Sequence, residues 1–395
     1  MNLSIPDLIV EADRCVACGL CLPHCPTYRK TGSEADSPRG RIQLMRAVAQ
    51  EIIPNNTRFR QHIDLCLSCR SCESACPNNV AYGALVDSTR ALLVPKKSLS
   101  LSLAKPFIRY RKWMNGLIRL LRLLQPLAYS PWLSYLIPAA KLLPKLNKPV
   151  RWQALYPATA SKQGEVSLFL GCASQALDSA TLAAGIHVLN ALGFAVHVPP
   201  QQTCCGSIAR QMGDVAESQA LLARNRSSFA SDLPILTVAS GCGAGLADYL
   251  PSHQVQDISA FLMGCDWSQV TIKPLPQRIF VQDPCSLKHG QKSHAAVHAL
   301  LKKIPQAEVL PLPGNGQCCG GAGAYMLTQA DMAKQLLNDK LEAIKTSQAA
   351  LLATSNIGCS LHLASGLAAQ KIPVKLMHPV QMIATQLGWT GHEDK

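Results

Sequence analysis

The chain has 395 residues, enough for two or three domains with cores of their own. Its formal charge is +14, yet fourteen Lys and Arg and no Asp or Glu fall between Ser88 and Gly164, so the remainder is balanced and a nucleic-acid partner is disfavoured. Seventeen cysteines behind an opening MNLSIPDLIVEADRC, with no basic-then-apolar leader and no twin arginine, read as reduced cytoplasmic thiols available to metal.

The first segment, 1–94, contains one spacing twice. Cys15, Cys18, Cys21 and Cys25 precede Pro26, and Cys66, Cys69, Cys72 and Cys76 precede Pro77. This is the run that binds [4Fe–4S] clusters, its fourth cysteine crossing to the neighbouring cluster. Three thiolates two residues apart wrap a tight loop round one face of an iron–sulfide cube, and the proline stops a helix from starting early. The two runs therefore imply two crossed sets: Cys15, Cys18, Cys21 and Cys76, then Cys66, Cys69, Cys72 and Cys25. Zinc, the alternative, uses C-x-x-C pairs and has no need of a third close thiolate. Between the runs, Ile42, Met45, Ala49 and Ile52 predict a helix begun by Pro38 and Gly40. The segment reads as an expanded, helical ferredoxin-like domain.

Residues 95–164 hold eight prolines and alternate Arg109, Arg111, Lys112, Arg119 and Arg122 with Phe107, Trp113, Leu117, Leu120 and Leu124. The uncharged run from Leu123 to Ala140 is too broken by proline to span a membrane. Two readings stand for this basic linker: peripheral contact with an anionic membrane, or a strap round a partner or the chain's own domains.

From Glu165 the pattern becomes strand–helix alternation. Strands are predicted at Val166 to Cys172, Phe194 to Val198, Pro234 to Gly243, Arg278 to Cys285 and Ala350 to Cys359, with a helix presenting Leu182, Ile186 and Leu189. The cysteines repeat at about 115 residues: Cys172 with Cys285, the Cys204-Cys205-Gly206 doublet with Cys318-Cys319-Gly320, and Cys242 with Cys359. Two α/β modules follow, 165–270 and 271–395, each a parallel sheet whose ligands gather beyond the carboxyl ends of the strands. Each offers four thiols: Cys172, Cys204, Cys205 and Cys242, then Cys285, Cys318, Cys319 and Cys359. Such sets suit further iron–sulfur clusters or zinc; a vicinal disulfide doing thiol exchange and plain buried thiols are the other readings. Cys265 stands outside both sets as a core residue. The fold class is multidomain, α then α/β.

The duplicated doublets, with GCASQ, CCGSI, ASGCGA, QDPCSLKHGQK, CCGGAGAY and SNIGCSLHLASG, resemble the modules of the heterodisulfide reductase superfamily. The whole arrangement, with SPRGRIQLM between the cluster runs, resembles the iron–sulfur subunit of bacterial glycolate oxidase (glycolate dehydrogenase), an oxidoreductase acting on CH–OH donors. In heterodisulfide reductase the last cysteine belongs to a C-x-x-C pair and its cluster is non-cubane. Here Cys242 precedes Gly-Ala-Gly and Cys359 precedes Ser-Leu-His, leaving four ligands per copy, with His362 either a supplementary donor or a packed residue. No dinucleotide or flavin fingerprint is visible. The resemblance thus implies FAD on partner glycolate oxidase subunits, electrons passing from it through this chain to quinone or another membrane acceptor, and a place on the cytoplasmic face of the inner membrane. Iron–sulfur subunits of D-lactate or glycerol-3-phosphate dehydrogenases, or a thiol/disulfide reductase, are the alternatives.

Overall fold

Helices build the first quarter of the chain, and three of the six begin at a side-chain cap. In the computed structural model, which describes residues 3–93, 110–128, 150–229, 232–251 and 254–391, α1 (Ile5–Asp13) starts at Ser4, which exchanges hydrogen bonds with Asp7. The helix α2 (Pro26–Thr31) follows Cys25, and α3 (Pro38–Ala49) starts with Ser37 Oγ accepting from Gly40 N. The predicted helix between the cluster runs therefore exists but stops at Ala49, leaving Ile52 outside it and exposed. Three further helices, α4 (Thr57–Asp64), α5 (Ser71–Ser74) and α6 (Tyr82–Leu92), complete the domain. Leu8, Met45, Ile63, Leu85 and Val86 are fully buried at its centre.

Among the described residues of the basic linker, α7 (Arg111–Ala128) is amphipathic. It buries Ile118 towards the first module, where Gln175 Nε2 donates to Asn115 Oδ1. Leu120 and Leu123 face outward, 54% and 76% exposed. No helix of the described residues is long and apolar enough to cross a membrane; the uncharged run continues from Tyr129 beyond them.

Two sheets follow. β1 (Leu155–Tyr156), β2 (Gly164–Phe169), β3 (Phe194–His197), β4 (Ile235–Thr237) and β5 (Val255–Asp257) lie in the order β1-β3-β2-β4-β5, all neighbours parallel except β1 with β3. β6 (Arg278–Gln282), β7 (Glu308–Pro311), β8 (Leu351–Thr354) and β9 (Lys375–Met377) form a parallel sheet ordered β7-β6-β8-β9. Without β1 the two orders coincide, so the cysteine period marks a structural repeat. Sequence alternation missed β1, β5, β7 and β9, the edge strands of the two sheets, whose partly exposed residues carry no clear apolar run. A single apolar core runs between the sheets, joining Val166 and Leu168 to Ile279 and Val281 through the helices packed between them. The strands also end earlier than expected: Cys242 and Cys359 lie in the first turns of helices Ser240–Ala247 and Ile357–Ala369.

Candidate iron–sulfur sites

Both N-terminal runs fold into loops of one shape. Ala17 and Gly19 in the first, and Ser68 and Arg70 in the second, take left-handed backbone at φ 54°, 86°, 54° and 58°. For Ala17, Ser68 and Arg70 that conformation costs about 1 kcal/mol each, held here by the surrounding contacts. Repetition of a left-handed backbone at the same two positions of each run is what a loop curled round a bulky group requires.

Each loop borders a cavity. The first is a partly open space of about 450 Å³, adjoining solvent included, lined by Cys15, Cys18, Cys21 and Cys76. The second, likewise partly open, is about 300 Å³ and is lined by Cys25, Cys66, Cys69 and Cys72. The fourth cysteine of each run thus faces the other run's cavity. Pro38, Cys72 and Tyr82 border both spaces, so one thin wall separates them. The thiols ring a space rather than closing on a point, and among the described residues no three His, Cys, Asp or Glu side chains gather tightly enough for a single metal ion. Soft thiolates round a void fit a multi-atom iron–sulfide group.

The cavities differ in surroundings. Cys18 is exposed, as are Val16 and Leu20 beside it, whereas Cys25, Cys66 and Cys72 of the second cavity are buried and donors surround them. Tyr82 Oη donates to Cys66 Sγ at 3.5 Å, and Arg41, almost wholly buried, donates Nη1 to Thr27 Oγ1 at 3.0 Å and to Cys25 Sγ at 4.0 Å. Burial pushes the Cys69 and Cys72 thiols well above the ordinary range and Cys21 to about 11. Bound iron would offset that cost, because metal stabilises the thiolate.

The module thiols gather at the carboxyl ends of their sheets. In the first, Cys172 Sγ lies 3.4 Å from Cys204 Sγ, and hydrogen bonds from Cys204 and Cys242 hold Cys205 well below the ordinary thiol range. In the second, Cys285 Sγ is 3.9 Å from Cys318 Sγ and Cys319 Sγ 3.0 Å from Cys359 Sγ. Gly206 and Gly320 turn the doublets at φ 80° and 82°. An amide unremarked in the sequence pins each doublet to its strand. Gln202 bonds Leu170 N and Leu168 O, and Asn315 bonds Asp283 N and Val281 O. His362 stands outside the thiol set, its Nε2 3.2 Å from Ala333 O, and Cys265 packs against the core.

The ferredoxin-like domain docks on both modules. Cys69 and Leu67 share an apolar cluster with Cys285, Cys318 and Tyr325, so the second cavity abuts the second module's thiols. Tyr325 Oη donates to Leu65 O at 2.9 Å. On the first module, Arg70 pairs bidentately with Asp248 at 3.1 and 2.8 Å, and Arg210 joins Asp248 to Asp87.

A 4Fe-4S dicluster domain model matches residues 11–80, and a cysteine-rich domain model matches 166–247 and 279–364. The glycolate oxidase iron-sulfur subunit of Escherichia coli (strain K12) is 30% identical over 91% of this chain and 91% of its own length. The chain belongs to the family of glycolate oxidase iron–sulfur subunits. A second relative in this family, a probable glycolate oxidase iron-sulfur subunit of Bacillus subtilis (strain 168), is 29% identical over 97% of this chain and 95% of itself. Lactate utilization protein A of Geobacillus kaustophilus (strain HTA426) is 25% identical over 55% of this chain and 98% of itself. The family makes this chain an iron–sulfur protein of the oxidoreductase class.

Proposed function

We propose that this chain carries electrons within a glycolate-oxidising complex, from FAD on a partner subunit, where glycolate becomes glyoxylate, towards quinone or another membrane acceptor. The crossed pair of thiol-lined cavities carries this reading, together with near full-length similarity to two glycolate oxidase iron–sulfur subunits. Cys15, Cys18, Cys21 and Cys76 would hold one [4Fe–4S] cluster and Cys66, Cys69, Cys72 and Cys25 the other. Cys172, Cys204, Cys205 and Cys242, and Cys285, Cys318, Cys319 and Cys359, would hold further centres. When bound, such clusters supply one-electron acceptance and donation.

The chain's residues set direction and access. The exposed loop at Cys18, with Val16 and Leu20, is the face offered to the flavin partner. Arg41 and Tyr82 direct donors at the sulfurs of the second set, which favours its reduced state. The outward Leu120 and Leu123 of α7, within an acid-free basic stretch, suit the anionic surface of the inner membrane.

The test is co-purification with a flavoprotein partner and glycolate-dependent dye reduction, with iron and sulfide counted and the complex floated on anionic vesicles. Cys69→Ser should lower iron by roughly four atoms per chain and abolish dye reduction. Full activity in that variant would sink the proposal, and failure to float would remove its membrane element. Similarity to lactate utilization protein A favours lactate as a second reading, decided by donor preference in the same assay.

A further inference from the structure

Behind each doublet runs a helix that meets the glycine of the turn: Gly206 lies against Ser218 of helix Val215–Ser228, and Gly320 against Ala333 of helix Ala330–Thr346. Seven residues on from these contacts, at matching places two turns along, stand Asn225 and Lys340. Asn225 is neutral and fully satisfied, accepting from Thr203 N and donating to Cys204 O, both at 2.9 Å. Lys340 is 1% exposed and donates Nζ to Gly314 O at 2.7 Å, in the loop that leads to Cys318.

A buried ammonium is costly unless an anion faces it. Among the described residues Lys340 forms no ion pair with a carboxylate. Foremost among the ionisable groups whose charge acts on it are Cys319, Cys318, Cys359 and Asp283. Asp283 is already engaged by His298 Nε2 at 2.9 Å and Asn315 Nδ2 at 3.0 Å. Burial pushes Lys340 below the ordinary lysine range, and negative charge on the three cysteines opposes that shift. The first module has the same thiol set without a cation in this place.

We propose that Lys340 is the counter-cation of an anionic redox centre held by Cys285, Cys318, Cys319 and Cys359, and that it keeps this centre's reduction potential above that of its first-module counterpart. Four thiolates make such a centre anionic, and reduction adds one more negative charge. A fixed cation stabilises the reduced form more than the oxidised one, the more so in a dry, low-dielectric interior. Asn225 offers only a dipole, so the duplicated sites diverge in electrostatics while keeping their ligands. Electrons arriving beside Cys69 would then be drawn into the second module. This inference rests on the reading of the module thiols as redox sites.

The experiment is a potentiometric titration of the full chain, prepared anaerobically and followed by paramagnetic resonance, with module signals assigned by their loss in Cys359→Ser and Cys242→Ser. Lys340→Gln keeps an N–H donor and removes the charge; Lys340→Arg restores the charge. The Gln variant should keep its iron and sulfide but move the second-module signal to lower potential, with the Arg variant near the parent. An unmoved signal at full iron content overturns the role of Lys340. Unchanged iron and signals in Cys359→Ser would instead overturn the underlying reading, and the inference with it. If Lys340→Gln does not fold, the parent protein decides through the order of its two module potentials: a second-module centre at or below the first refutes the proposal.

Discussion

In the first module the strand before the first cysteine runs into Leu170-Gly171-Cys172; in the second it runs into Asp283-Pro284-Cys285, with Asp283 bonded to His298. The first module meets the ferredoxin-like domain through charge, in the Arg70–Asp248–Arg210–Asp87 network, and also carries α7. The second meets it mainly through an apolar cluster that includes thiols from both sides, with one ion pair at the rim, Lys30 Nζ to Asp339 Oδ1 at 2.7 Å. Duplication has kept the strand order, the left-handed glycine, the amide clamp and the four cysteines. It has altered the charge and neighbours around them. The geometry that gathers four thiols at a strand end admits few solutions, whereas the residues around them are free to vary.

The helix caps at matching sheet edges sharpen that contrast most. His378 Nδ1 accepts from Val380 N at 3.1 Å and Nε2 donates to Val238 O at 2.9 Å, which fixes a neutral ring. Burial lowers its pKa from 6.5 to about 4. The unfolded chain therefore takes up the proton first as pH falls, and stability present above pH 6.5 is lost down to about pH 4, by about 3 kcal/mol. Asp257, the equivalent cap in the first module, is raised by burial from 3.8 to about 6, so its contribution is lost in the opposite direction, as pH rises through that range. Denaturant unfolding against pH should show His378→Gln removing the acid loss and Asp257→Asn removing the opposing slope. Identical slopes in the two variants would contradict the assignment.

The doublet turns give the next effect. A Cβ on Gly320 would lie 2.7 Å from Ala333 O, while one on Gly206 meets Ser218 Oγ at 3.1 Å. Both positions have positive φ. Gly320→Ala should cost about 2 to 3 kcal/mol and Gly206→Ala about 1 to 2 kcal/mol in thermal unfolding. A larger loss at Gly206 would break the comparison. The smallest effect concerns docking: Tyr325→Phe removes the bond to Leu65 O and should cost about 1 kcal/mol, leaving iron content intact.

Much of this was legible from spacing. Cysteine runs require loops of fixed length, and the period of about 115 residues reappears as two sheets of one strand order. Alternation located β2, β3, β4, β6 and β8, and overran where helices begin at Ser240 and Ile357, because apolar and glycine-rich residues suit either state. The amide clamps at Gln202 and Asn315 were invisible, since a polar residue before a turn carries no periodic signal. Arg70 shows the same limit. Its charge and position were readable, but its left-handed backbone and its pairing with Asp248, 178 residues away, were not.

The sequence by itself determined the ligand chemistry and the two-fold repetition, because thiol spacing and strand periodicity are local properties that short segments enforce. Only the tertiary structure decided that the second N-terminal site adjoins the second module, and that a lone ammonium lies beneath one doublet and an amide beneath the other. Those depend on contacts between residues tens to hundreds of positions apart, where burial and charge act through space.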